Sequence, residues 1–213
     1  MSIVFDENLD LFCLETANTS YIIGLADHRT FVGHVYYGKR VRGQDLRYLL
    51  RTGEAPFVPS ENERERCSFY SGNGVGDYRE SSIAVRTQAG QHAVMPTYVS
   101  YEITDQKPEL PGLPSAFDRE HTAQTLILHC RDEVLQLDYT VFEENDMITR
   151  SVRISNQSKE AVYLTKAYSA CLDMDDDAYE MLTLHGSWAR ERQMDRRPLG
   201  YGKTSVGSIR GES

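Results

Sequence analysis

The sequence predicts an all-β protein, a large antiparallel β-sandwich with one short helix. Strand-like segments recur at regular spacing between turn residues, and long amphipathic helices never alternate with them as a parallel sheet would require. Thirteen tyrosines and frequent Val, Ile and Thr supply the side chains that suit a pleated, half-buried surface. A chain of 213 residues is long enough for one large domain with its own core.

The elements follow in order. Residues 2–36 read as short strands, Ile3–Phe5, Asp10–Glu15, Thr19–Gly24 and Phe31–Tyr37, with a turn at Ala26-Asp27-His28. Leu46, Leu49 and Leu50 have i, i+3, i+4 spacing behind Asp45, a good N-cap residue, and predict a two-turn helix over Gln44–Arg51 with its apolar face pinned to the sandwich. APFVPSENERERCSF (55–69) reads as a solvated, charged loop. The glycines at 72, 74 and 76 are spaced G-x-G-x-G without a following amphipathic helix, which indicates a turn rather than a phosphate cradle. Ile83–Val85 is a strand, and Tyr98–Ile103 alternates Tyr98, Ser100 and Glu102 against Val99, Tyr101 and Ile103. Pro108, Pro111 and Pro114 with Gly112 form a loop. After a strand at Thr125–Cys130 comes the clearest hairpin: Leu135, Leu137, Tyr139 and Val141 lead out, Glu143–Asp146 turns, and Ile148, Val152 and Ile154 return. Ala161–Leu172 reads as a long strand. Leu182 and Leu184 end another, which feeds a charged, glycine-broken loop over His185–Ser213 without hydrophobic periodicity.

A net charge of −9 argues against nucleic acid or an anionic membrane as the main partner. No apolar run approaches the ~18–20 residues that a membrane span needs, and MSIVFDENLDLF lacks the pattern of a signal peptide, so a cytoplasmic location is expected. In that setting Cys13, Cys67, Cys130 and Cys171 are expected as reduced, mostly buried thiols, and the sequons at Asn18 and Asn156 as chance matches.

Few residues invite chemistry. The acidic run Asp173-Met-Asp175-Asp176-Asp177 lacks the glycine and glutamate of a calcium loop, having Ala178 and Leu184 in their places. Neither the six histidines nor the cysteines show zinc spacing, and no serine lies in a nucleophile elbow. No metal and no cofactor is expected. His185, beside Trp188, is expected to be packed or hydrogen-bonded. Paired carboxylates could serve as acid and base, but among 32 acidic residues any pair can be drawn, so counting singles out none.

Several stretches nevertheless carry a resemblance. LHGSWARER (184–192), RRPLGYGKTSVGSIRGES (196–213), VYYGKRV with DLRYLLR (35–51), SGNGVGDYRESS (71–82) and VLQLDYTVFEENDMITRSVRISNQS (134–158) are similar to the N-terminal domain of the family 36 α-galactosidases. The resemblance implies that residues 1–213 form an N-terminal β-supersandwich ahead of a (β/α)8 barrel. It also implies that the chain, which stops in mid-loop, is a piece of something longer, with both catalytic aspartates in the barrel. The parent would then be a retaining hydrolase of terminal α-galactose in oligosaccharides such as melibiose and raffinose, and a homo-oligomer. The N-terminal domain would support domain packing and line the mouth of the galactose pocket, its own or a neighbour's. The segment that aligns with this role is Asp45–Arg51, with Asp45 and Arg51 as candidate substrate contacts; a capped helix is the equal alternative. A free-standing carbohydrate-binding or assembly module is the other functional reading. It would need an exposed aromatic platform, of which one tryptophan in a charged loop gives little sign.

Overall fold

Strands β1 (Ile3–Asp6), β2 (Leu11–Glu15), β3 (Thr19–Ala26) and β4 (Phe31–Lys39) form one antiparallel sheet in that order. The computed structural model describes residues 2–50, 52–53, 65–66, 71–72, 80–112, 114–120, 122–130, 135–172, 174 and 178–208. The chain divides into two units, residues 1–172 and 173–213. In the first unit, a two-residue ladder joins β5 (Thr52–Gly53) to β6 (Glu65–Arg66). β7 (Ile83–Thr87) is followed by β8 (Tyr98–Thr104), β9 (Gln124–Cys130), β10 (Leu135–Phe142) and β11 (Met147–Ile154). The last four make a second antiparallel sheet, β11-β10-β9-β8, while β12 (Val162–Ala167) pairs with β7.

The main core lies between these sheets. Phe12, Leu14, Tyr21, Ile23 and Val32 from the first sheet meet Leu126, Leu128, Leu137, Tyr139 and Val141 from the second, with Ile83 and Val85 beside them. Phe5, Phe12 and Tyr101 form a ring cluster with centroids 4.4–5.0 Å apart, where aromatic pairs add to simple burial. The first sheet is also covered on its outer face, where Leu11, Ile22, Val35 and Leu46 make a smaller core. That is why β3, TSYIIGLA, reads as a continuous apolar run instead of an alternating one.

Three expectations change. β8 is not a plain alternation: Tyr98 lies opposite Cys130 and Ser100 opposite His129, so Val99 is a bulge. The extra residue reverses the phase and brings Tyr98 to the face of Tyr101, where both pack on the core. β12 stops at Ala167 rather than Leu172, after a register shift between Leu164 and Lys166. Finally, the loop expected over His185–Ser213 contains a strand.

The second unit is a hairpin of β13 (Glu180–His185) and β14 (Gln193–Pro198). Hydrophobic periodicity misses β14 because cross-strand ladder bonds and charges hold it. Leu184 faces Met194, but Leu182 faces Arg196, and Arg196 reaches the Glu180 carboxylate at 3.3 Å. Arg197 and His185 both approach Asp195, at 2.5 and 3.7 Å. His185 is hydrogen-bonded to Thr183, 2.9 Å away, as expected. Trp188 stands 92% exposed in the turn.

Candidate functional site

The Asp45 loop begins where β4 ends. Arg40 is tied to the first sheet through its backbone N–H, which donates to the Asn18 carbonyl, and its guanidinium, 2.6 Å from Glu15. Val41 and Ser20 exchange hydrogen bonds, N–H to Oγ and Oγ–H to carbonyl, at 3.0 and 3.2 Å. Gly43 then turns the chain with φ +62°, in the region that glycine enters without strain. Leu46 drops into the outer core, and a single 3-10 turn, Arg47–Leu49, follows.

The two-turn helix with an Asp45 cap is therefore corrected. The turn spans three residues and starts from Leu46, without a side-chain cap. One helical turn is costly to nucleate, and Leu50 is already extended at ψ 110°. What draws Leu50 out is its seat. Gly24 and Gly33 are cross-strand partners in β3 and β4, and the Leu50 side chain fills the space over them. A β-carbon at position 33 would lie 2.4 Å from Leu50 Cδ1. The apolar pinning expected of Leu46, Leu49 and Leu50 is present, on a shorter element.

Held at both ends, the loop exposes Asp45. Its Oδ1 accepts from the backbone N–H and the Nε–H of Arg47, both at 3.0 Å, and Oδ2 accepts from Nη2 at 2.7 Å. The side-chain bond from Arg47 is the largest cause of a carboxyl pKa lowered to about 2, so Asp45 is an ionised acceptor at any physiological pH. The second candidate, Arg51, lies outside the described residues. Arg47 was not singled out from the sequence, although an acid and an arginine two residues apart after a glycine turn are the signal for this fork. Beside the loop, Gly43 and Gln44 border a groove of about 300 Å³ floored by Val4, Leu11 and Cys13, with Asp6 and Glu15 along it.

Burial pushes the Cys130 thiol up to about 12, and burial with the nearby Glu15 and Asp6 raises that of Cys13, so neither is an activated nucleophile. Cys13, Cys130 and Cys171 are free, with Cys130 buried and the others half-buried; Cys67 lies outside the described residues. Gly72 is needed by packing, because a β-carbon there would sit 2.0 Å from the Val94 carbonyl oxygen. Residues 73–79, most of the loop at 55–69, and the aspartates of 173–177 also lie outside the described residues. Among the described residues, no three His, Cys, Asp or Glu side chains gather as a metal site. No helix there is long and apolar enough to cross a membrane.

Fold and loop thus define an all-β chain that presents a carboxylate–guanidinium pair. Residues 30–213 match the model of the glycosyl hydrolase family 36 N-terminal domain, and the chain belongs to that family. It is 34% identical over 226 residues to the bifunctional alpha-galactosidase/sucrose kinase AgaSK of Mediterraneibacter gnavus, covering 100% of this chain and 24% of the relative. With alpha-galactosidase Mel36A of Lactobacillus acidophilus the identity is 35%, over 99% of this chain and 30% of the relative. The solved galactosidase domain of AgaSK superposes with a TM-score of 0.88 at 33% identity, covering 98% of this chain and 31% of that one. For the family 36 alpha-galactosidase AgaB of Geobacillus stearothermophilus the TM-score is 0.88 at 28% identity, over 99% and 30%. The chain therefore spans less than a third of the length of these relatives.

Proposed function

We propose that the chain is the N-terminal domain of an α-galactosidase, a retaining hydrolase that removes terminal α-linked galactose from oligosaccharides such as melibiose and raffinose. The observation that carries this reading is likeness over essentially the whole chain to alpha-galactosidases at 34–35% identity. Variants of the related AgaA of Geobacillus stearothermophilus, solved in complex with raffinose and with stachyose, support the substrate class. In this reading the two catalytic aspartates belong to a barrel downstream in the same chain, the enzyme is a cytoplasmic homo-oligomer, and residues 1–213 contribute packing, assembly and the pocket rim. Asp45 and Arg51 are the residues assigned to sugar contact. An ionised carboxylate on an anchored loop accepts charge-assisted hydrogen bonds from hydroxyls, which are stronger than neutral ones.

The test is Asp45→Ala in the full-length enzyme that carries this domain. Loss of a substrate hydrogen bond lowers kcat/KM by roughly ten- to a hundredfold, with the melting temperature almost unchanged. A lowered melting temperature with intact kinetics would assign Asp45 to the loop's structure alone. The exposure of Trp188 keeps a second reading in play, a glycan-binding module that uses that ring as a platform. It is separated by Trp188→Ala, which would abolish oligosaccharide binding by residues 1–213 if the module reading held.

A further inference from the structure

We propose that Asp45 and Arg47 form one recognition unit for two adjacent hydroxyls of a sugar, with Arg47 positioning Asp45 so that Oδ2 is the accepting atom. This rests on the reading that the loop reaches a sugar, and it adds a residue and a stereochemical requirement to that reading. The argument is a count of lone pairs and protons. Each carboxylate oxygen offers two acceptor positions. Oδ1 of Asp45 receives both the backbone N–H and the Nε–H of Arg47 and is full, whereas Oδ2 receives, among the described residues, only Nη2 and keeps one position there. The guanidinium has five N–H groups. Two are spent on the carboxylate, which leaves three, one on Nη2 and two on Nη1. Neither side chain has another hydrogen-bond partner among the described residues, and both are half-exposed, at 48% and 51%.

Among the described residues the pair therefore presents one free acceptor and a free donor on neighbouring atoms, Oδ2 and Nη2, 2.7 Å apart. Hydroxyls on neighbouring ring carbons can satisfy both at once, the first donating to Oδ2 and the second accepting from Nη2. The fork is planar and pre-formed, so little rotamer freedom remains to be lost on binding. Leu46 on one side and Leu50 in its glycine seat on the other fix the backbone that carries it. Arg47 also keeps Asp45 ionised well below the ordinary carboxylate range, so the free position at Oδ2 remains an acceptor in acid.

The experiment is calorimetric titration of galactose, and of galactose derivatives lacking single hydroxyls, into the full-length enzyme and its Asp45→Asn, Arg47→Met, Arg47→Lys and double Asp45→Asn/Arg47→Met variants. Each single change is expected to weaken galactose binding about tenfold at pH 7, and the double variant about as much as either alone, because residues that act as a unit are not additive. Arg47→Lys restores little, since an ammonium cannot fork. In Arg47→Met the affinity falls further as the pH drops through about 4, the ordinary aspartate range, while the wild type does not respond there through Asp45. The derivative lacking a contacted hydroxyl binds wild type and Arg47→Met alike. Wild-type affinity in Arg47→Met, with weakened binding in Asp45→Asn, would overturn the role of Arg47 and leave the rim reading standing. Unchanged binding in Asp45→Asn would remove both.

Discussion

Gly72 shows how a single position can be mistaken for a ligand motif. Its missing β-carbon makes room for the Val94 carbonyl, so Gly72→Ala must move backbone against backbone. A loss of about 1–3 kcal/mol, in the range of core overpacking, is expected. It would be measured as a lower urea midpoint with an unchanged slope. Gly33 differs, because the atom in the way is the end of a leucine side chain. Gly33→Ala should cost a similar ~1–3 kcal/mol alone, and less than the sum when combined with Leu50→Ala, since removing the leucine removes the clash. Additive losses in that double mutant would show that Leu50 is not seated where described. At this scale the sequence was partly legible. Asp45 could be selected as a candidate, and Leu46, Leu49 and Leu50 as anchors. The fork from Arg47 and the glycine seat depend on side chains meeting across strands, and spacing along one segment cannot report that.

At the scale of elements, the turn of the β10–β11 hairpin is tied to the β2–β3 turn through Asp146. Its carboxylate accepts from the Thr16 hydroxyl and from the backbone and side-chain amides of Asn18. The Thr16 bond is the largest cause of its lowered pKa. A carboxyl depressed in the folded state stabilises above its unfolded pKa of about 4 and loses that contribution as pH falls through the folded value. Asp146→Asn, which keeps a residue tolerant of the φ of +52° found there, should melt below wild type at pH 7. The two melting temperatures should converge as the pH falls below about 4 and on through the lowered folded value, and a gap that stays constant throughout that fall would dissociate the carboxylate from the effect. The hairpin itself was readable to the residue, because Leu135, Leu137, Tyr139 and Val141 alternate on a strand with one apolar core face. β14 was not, since Arg196, Arg197 and Asp195 hold it by charge and ladder bonds. The bulge at Val99 was invisible for a related reason: a one-residue insertion changes which tyrosine faces the core without changing composition.

For the molecule as a whole, the expectation is that residues 1–213 do not hydrolyse an α-galactoside. Among the described residues the perturbed carboxylates, Asp45, Asp146 and Asp195, are all shifted down and held ionised, so none of these three is suited to be the general acid that glycoside hydrolysis needs. Turnover of a chromogenic α-galactoside by the purified fragment, free of host enzyme, would refute this. The double covering of the first sheet has a further consequence, in the time domain. The loop that carries Asp45 is also the lid of the outer core, so it cannot swing away without wetting Leu11, Ile22 and Val35. Its opening is therefore a sub-global unfolding step rather than loop breathing. Amide hydrogens along β3 and β4 should exchange in step with that of Leu50, and the carboxylate at the loop's tip should wait for its ligand in one pose.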